Sequence, residues 1–289
     1  MTLIVVEHHV ADWFTLIDRV VVIAAARGVV ADGPPSLVLD GATAEARMWA
    51  PGLAVPRPDA TEASPGKPLL VAQGASFRYP GSPTDAVGPV HVELGASEAV
   101  AVTGPNGSGK STLALLLGGL IRPREGGVVA TDALVPGRGP HAPADWPARE
   151  LVRHIGSVFQ DPEHQFLTGT VREELLLGPR RAGLGEVVAS ARADELLARL
   201  ELGHLAAANP FTLSGGEKRR LSVATALATA PPVLILDEPT FGQDPAGSAE
   251  LAALLTALRD EGHGVCFVTH DERFVRAVAD RVLELPGRV

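Results

Sequence analysis

From Leu69 onward the apolar residues fall into short runs separated by glycine-rich or polar breaks, and the spacing inside each run assigns its element. The runs LLVAQGASFRY, PVHVELG and EAVAVT carry the β-branched, partly alternating pattern of strands. Two later runs, VLILD and VCFVT, are unbroken apolar blocks of the length that buried parallel strands need. Between the two groups, the stretch from Ile155 to Leu227 reads as mostly helical, with ARADELLARLEL and EKRRLSVATALA repeating their apolar positions at helical spacing and no strong strand signal. AGSAELAALLTALRD is a further helix, with Asp244 as its expected N-cap and Pro245 in its first turn. Strands alternating with helices predict an α/β domain over 69–289 built on a parallel sheet, with a helical subdomain inserted at about 155–227. Residues 41–68 are rich in Ala and Pro, follow neither period, and read as an extended linker.

Composition narrows this picture. The 289 residues are 46% hydrophobic and 20% charged, enough apolar material for a core. A formal charge of -9 disfavours nucleic acid and anionic lipid as partners of the overall field. A single cysteine, Cys266, permits no intrachain disulfide, and no secretory signal opens the chain, so a cytoplasmic setting is expected. The most apolar runs are too short or too interrupted to cross a bilayer, so membrane association is expected to go through a partner.

The candidate chemistry starts at Gly104-Pro105-Asn106-Gly107-Ser108-Gly109-Lys110-Ser111, which fits GxxxxGK[ST] between the strand EAVAVT and the helix former STLALLLGGL. In such a loop the glycines let backbone amides curl round phosphates, Lys110 brings positive charge to the β and γ phosphates, and the Ser111 hydroxyl can ligate Mg²⁺. VLILDE supplies the acids: Asp237 emerges at a strand's C-terminal end to hold the metal, and Glu238 follows to polarise an attacking water. The plainer alternative for two acids at a strand end, a solvated turn, is the lesser one even for the pair alone. Leu213-Ser214-Gly215-Gly216-Glu217 opens a helix; it is an ordinary capping box by itself, and also a second anion site at a helix N-terminus.

Together these residues resemble the nucleotide-binding domain of ATP-binding cassette (ABC) proteins, over about 69–289. GPNGSGKST resembles the Walker A loop, LSGGE the signature, VLILDE the Walker B strand, FGQD ending in Asp244 the D-loop, Gln160 the Q-loop glutamine and His270 the switch histidine. The resemblance implies a P-loop NTPase fold with an antiparallel β subdomain and an inserted helical subdomain. It also implies that ATP and Mg²⁺ lie between the Walker A loop of one cassette and the signature of a second. Lys110, Glu238 and His270 are then catalytic. Tyr79, Gly104, Asn106, Gly107, Ser108, Gly109, Lys110, Ser111, Thr112, Gln160, Ser214, Gly215 and Gly216 contact nucleotide, and Ser111, Gln160 and Asp237 hold the metal. Tyr79 takes the place of the adenine-stacking aromatic, its plainer reading being an ordinary strand aromatic. Within the family, FQDPEHQFLTGTVREELLLGP and LSGGEKRRLSVATALA are most similar to the ATPases of energy-coupling-factor (ECF) importers, which take up vitamins or transition-metal ions. Transmembrane ECF-type subunits at the cytoplasmic face of the membrane are the implied partners. The D-loop FGQD departs from the commoner SGLD, which bears on communication between the two sites.

The start of the chain repeats its end. VVEHHVADWFTLIDRVV sets His8 against His270 and Asp18-Arg19-Val20 against Asp280-Arg281-Val282, both at an offset of 262 residues (270 − 8 and 280 − 18). Residues 1–40 therefore resemble the closing segment of a preceding cassette, and the linker the join between tandem domains. His8-His9 as a metal site is disfavoured, because adjacent strand residues point to opposite faces. The competing function is a soluble tandem ABC ATPase working on ribosomes or DNA; the short Pro/Ala-rich linker, the absence of long heptad coiled coils and the acidic balance count against it.

Overall fold

The strand Glu98–Thr103 is buried along nearly its whole length, and the molecule is built round it. The structure, a computed structural model, describes residues 2–5, 15–24, 28–40, 66–137, 141–243 and 245–287; His8, most of the 41–68 linker and Asp244 lie outside the described residues. At the front, β1 (Val20–Ala24) and β2 (Gly28–Gly33) form an antiparallel hairpin followed by the short helix α1 (Pro35–Asp40). Then come β3 (Pro68–Phe77), β4 (Val87–Gly95), β5 (Glu98–Thr103), α2 (Lys110–Leu117), β6 (Glu125–Ala130), α3 (Ala148–His154) and β7 (Ile155–Val158). The helices α4 (Val171–Arg181), α5 (Glu186–Arg199) and α6 (Gly215–Leu227) follow, and β8 (Val233–Asp237), α7 (Pro245–Asp260), β9 (Gly264–Val268), α8 (Glu272–Val278) and β10 (Arg281–Glu284) close the domain.

Five of the strands make a parallel sheet in the order β10-β5-β9-β8-β7, and β4-β3-β6 make an antiparallel sheet beside it. Side chains of each parallel strand alternate between two cores, as period-2 geometry requires. Ala99, Ala101, Leu234, Leu236, Val265 and Phe267 join one apolar cluster with α4 to α8. Val100, Val102, Val233, Ile235, Cys266 and Val268 join another with α2 and the antiparallel sheet. Each Val, Leu, Ile or Phe side chain among them contributes about 1.5–3 kcal/mol by leaving water. The root of β5 is fixed by charge as well: Asp280 accepts the Ala99 amide at 2.8 Å and receives the buried Arg259 guanidinium at 2.9 Å.

The block expected to be helical from Ile155 onward in fact opens with a strand: β7 pairs in parallel with β8. The correction has a packing cause. A Cβ on Gly156 would stand 2.6 Å from the Ala226 carbonyl oxygen, so α6 lies directly on this strand and only glycine fits. A four-residue strand containing glycine carries little propensity to be read. The glycine-bearing edge strand β6 and the terminal β10 are likewise additions to the strands expected from apolar runs.

In the front hairpin, β1 begins directly after Asp18-Arg19 and pairs antiparallel with β2, whereas β10 begins at Arg281 and pairs in parallel with β5. Arg19 grips Asp32 across the hairpin with two bonds of 2.6 Å. Leu16, Val21, Ile23, Val29 and Leu37 remain 47–74% exposed.

Candidate functional site

Parallel α/β sheets collect ligands at the carboxyl ends of their strands, and three ends meet here. β5 stops at Thr103 and turns through 104–109 into α2. Gly104 stands at φ +138° and Gly109 at φ +97°, where an L side chain is strained. Neither has room for one: a Cβ on Gly104 would meet the Leu285 carbonyl oxygen at 2.4 Å, and one on Gly109 the Ala86 carbonyl oxygen at 2.2 Å. Gly109 is also the N-cap of α2 and offers no side chain to its first amides. Those amides and the positive end of the helix dipole are left for an anion. Lys110 is buried, with its ammonium donating to the carbonyls of Gly104 at 2.9 Å and Pro105 at 3.0 Å. An ammonium has three protons, so one is spare.

β8 delivers the acids. Burial pushes the Asp237 carboxyl above the ordinary carboxylate range, while a hydrogen bond from Ser111 pulls it back; Oδ1 is buried with no partner. Glu238 sits at φ +47°, held there by its own amide on the Val268 carbonyl (2.9 Å) and by the Phe241 amide on its carbonyl (3.1 Å). That conformation is uncommon for a residue with a side chain and marks stored strain. β9 is the neighbour of β8, with Val268 opposite Asp237, so His270 arrives beside Glu238 and its Nδ1 meets Oε1 at 3.0 Å. Glu238 Oε2 and Ser108 Oγ are further buried polar atoms without partners. Leaving such atoms unpaired costs about 1–3 kcal/mol each. Their concentration round Lys110 describes a cradle that a hydrated polyphosphate would complete.

The remaining residues of the expected set take two positions. Tyr79 is 45% exposed, stands edge-on to Phe77 with centroids 4.9 Å apart, and brings its hydroxyl within 3.4 Å of the Thr112 hydroxyl, so its ring flanks the start of α2. Asn106 and Gly107 lie on the outer, exposed part of the loop. Ser214 and Gly215 are exposed at the start of α6, and Gly216 is half-buried. There Ser214 forms the capping box with Glu217: the Ser214 hydroxyl and amide both donate to Oε2, at 2.7 and 2.8 Å. Gln160 is exposed just past β7, its carbonyl held by Arg219. Sequence reasoning passed over Arg219, 1% exposed, and Gln165, both of which tie the Gln160 loop to α6; their signal, a basic pair inside a helix and a second glutamine in FQDPEHQF, is visible only in hindsight.

Residues 87–241 match the family model of the ABC transporter. The chain belongs to the ABC transporter family. Its ABC domain is an ATP-binding, ATP-hydrolysing cassette, with the parallel core, antiparallel sheet and helical insert the motifs implied. Among relatives, the cobalt import ATP-binding protein CbiO of Rhodobacter capsulatus is 40% identical over 223 residues, covering 77% of each chain. The putative HMP/thiamine import ATP-binding protein YkoD of Bacillus subtilis is 32% identical over 98% of this chain and 54% of its own length. A putative ABC transporter ATP-binding protein of Bifidobacterium longum is 37% identical, but this chain spans only 29% of it. CbiO1 of Clostridium perfringens, part of the transporter complex CbiONQ, superposes with a TM-score of 0.63 at 31% identity, over 75% of this chain and 84% of that one. A dimeric ATP-binding cassette in a post-hydrolysis state with ADP and Pi superposes at 0.64 with 28% identity, over 75% and 94%. No helix among the described residues of this ABC protein is long and apolar enough to cross a membrane.

Proposed function

We propose that this chain is the ATP-hydrolysing subunit of an ECF-type importer, energising uptake of a vitamin or a transition-metal ion from the cytoplasmic face of the membrane. The observation that carries the mechanistic part is the split of the site. Lys110, Asp237, Glu238 and His270 converge at the carboxyl ends of β5, β8 and β9, while the exposed Ser214–Gly215 turn is a second anion-facing helix end in the same domain. Two copies of the fold, facing head to tail, give each phosphate chain both halves, and the dimeric relative bound to ADP and Pi supports that pairing.

Within one half, Lys110 and the α2 amides bind and neutralise the phosphates, and Tyr79 stacks on the base. Glu238 orients a water through its unpartnered oxygen while His270 steadies the other one. Asp237 and the Ser111 hydroxyl form an oxygen-rich pair that would hold Mg²⁺, and Gln160 would add a third protein ligand. Bound Mg²⁺ supplies charge neutralisation and orientation of the phosphate oxygens. Transmembrane subunits are the expected partners of the helical subdomain; CbiO, YkoD and the CbiONQ component support the importer reading, and no relative named here points to ribosomes or DNA. Residues 1–40 resemble the closing segment of a cassette of the same kind, a reading supported by the shared offset of His8 and Asp18-Arg19-Val20 and by a YkoD match that runs through this region. Affinity capture of the chain from membranes of its own cells tests the partner assignment. Recovery of polytopic membrane proteins in fixed ratio is expected, and recovery of ribosomal proteins or DNA instead would overturn it.

A further inference from the structure

The loop from Phe159 to Gln165, which carries Gln160, follows β7 of the core sheet but is fastened to the helical subdomain. Gln165 is the hub. Its Oε1 accepts from the Phe159 amide at 2.8 Å and from the Ser222 hydroxyl at 2.5 Å. Its Nε2 donates to the Ser157 carbonyl at 3.2 Å and lies 3.3 Å from the Thr225 hydroxyl. Arg219, one turn along α6 from Ser214, reaches the other way: its guanidinium donates to the carbonyls of Phe159 at 2.7 Å and Gln160 at 2.5 Å. Burial lowers that guanidinium's pKa to about 10 against the opposing pull of Asp237, Asp161 and Glu238, and its hydrogen bonds go to backbone carbonyls. Lys218 adds an ion pair to Glu163 at 2.6 Å. A loop meant only as a hinge between core and helical subdomain needs none of these bonds, and a buried charge placed on two carbonyls is costly unless the geometry is held.

We propose that Gln165 and Arg219 are positioning residues that strap the Gln160 loop to α6, so that the Gln160 contact at one nucleotide site and the Ser214 contact at the opposite site move as one body. The proposal rests on the paired-cassette reading above. Its consequence is cooperativity: nucleotide engaging Gln160 also sets the helix end offered to the other ATP, a two-state element biased from both sites.

The test is the ATP dependence of turnover by the full chain, for wild type and for Gln165→Met, which keeps the length of the side chain but none of its hydrogen bonds. Wild type is expected to respond cooperatively. In Gln165→Met the Hill coefficient should fall towards one and kcat about tenfold, while binding of a fluorescent ATP analogue to the Walker A side changes little. Gln165→Glu, which still accepts but no longer donates, should lie between. If Gln165→Met folds poorly, Arg219→Lys, whose point-like ammonium lacks the planar fork that spans the Phe159 and Gln160 carbonyls, carries the same test. Cooperativity retained in these variants, with kcat falling only in step with the folded fraction, would overturn the strap and leave the pairing intact. A wild type without cooperativity would overturn the paired-cassette reading and the strap with it.

Discussion

Replacing Glu238 by glutamine separates what this carboxylate does for chemistry from what it does for the fold. Glu238 is 8% exposed, holds His270 at 3.0 Å through one oxygen, and leaves the other buried and unpartnered. Glutamine keeps the shape and can still accept the histidine N–H, but it cannot take a proton from water. Loss of a positioned general base costs about 10²–10⁴ in rate, or roughly 3–5 kcal/mol of barrier. The stability change should be far smaller. A charge is withdrawn from a largely dry position, and an amide donor is put where an oxygen lacked a partner, so the two effects oppose and the net shift should stay within about 1 kcal/mol. Phosphate release, a nucleotide-binding titration and a thermal melt on the same preparation give the three numbers. Turnover down at least 100-fold, with ATP binding and Tm nearly unchanged, is the expected pattern. Turnover within a few-fold of wild type, or a rate loss matched by loss of folded protein, would refute the role given to Glu238.

Gly109→Ala places a Cβ 2.2 Å from the Ala86 carbonyl at φ +97°, whereas Gly107→Ala, at φ +78°, meets nothing within 4 Å; the first should abolish nucleotide binding and the second cost only about 1–2 kcal/mol of backbone strain, as a paired binding and melting series would show. Tyr79→Ala should weaken ATP binding by about 1–3 kcal/mol through lost stacking, while Tyr79→Phe, giving up only a 3.4 Å hydroxyl contact, should be close to neutral in the same titration. Burial raises the Asp237 pKa, so its ionised form costs stability above that raised pKa and the cost is relieved as pH falls through it. Asp237→Asn should therefore raise the melting temperature of the nucleotide-free chain near neutral pH, with a gain that shrinks towards acid, and should remove the further stabilisation by Mg²⁺ and ATP; a nucleotide-free chain destabilised at neutral pH would contradict the assignment.

What could be read from the chain and what could not divide along one physical line. The Walker A loop, the VLILDE strand and the LSGGE helix start are local: glycine, lysine and acid stand within a few residues of one another, and the backbone geometry they need is fixed by the same few residues. Gly104 and Gly109 at positive φ, and the capping box at Ser214, take the form their motifs require. β7 escaped because its glycine answers to α6, a helix about seventy residues away, rather than to strand propensity. The bonds of Arg219 to the Gln160 loop and of Gln165 to Ser222 escaped for the same reason, since each joins positions separated by more than fifty residues and neither type of residue announces a partner. The contact of Gln243 with the Gly216 carbonyl, at 3.4 Å, gives the variant D-loop a local partner in the same chain that no comparison of FGQD with SGLD would reveal.

The most direct measurement is complementation between two inactive chains. Lys110→Ala disables the phosphate loop and Ser214→Arg blocks the signature, so each variant alone should hydrolyse almost no ATP. In a mixed pair, the intact Lys110 of one chain faces the intact Ser214 of the other, and one complete site is rebuilt. Hydrolysis that reappears on mixing is the expected result. A Ser214→Arg chain that hydrolyses ATP by itself at the wild-type rate would contradict the shared site and with it the central reading of this protein.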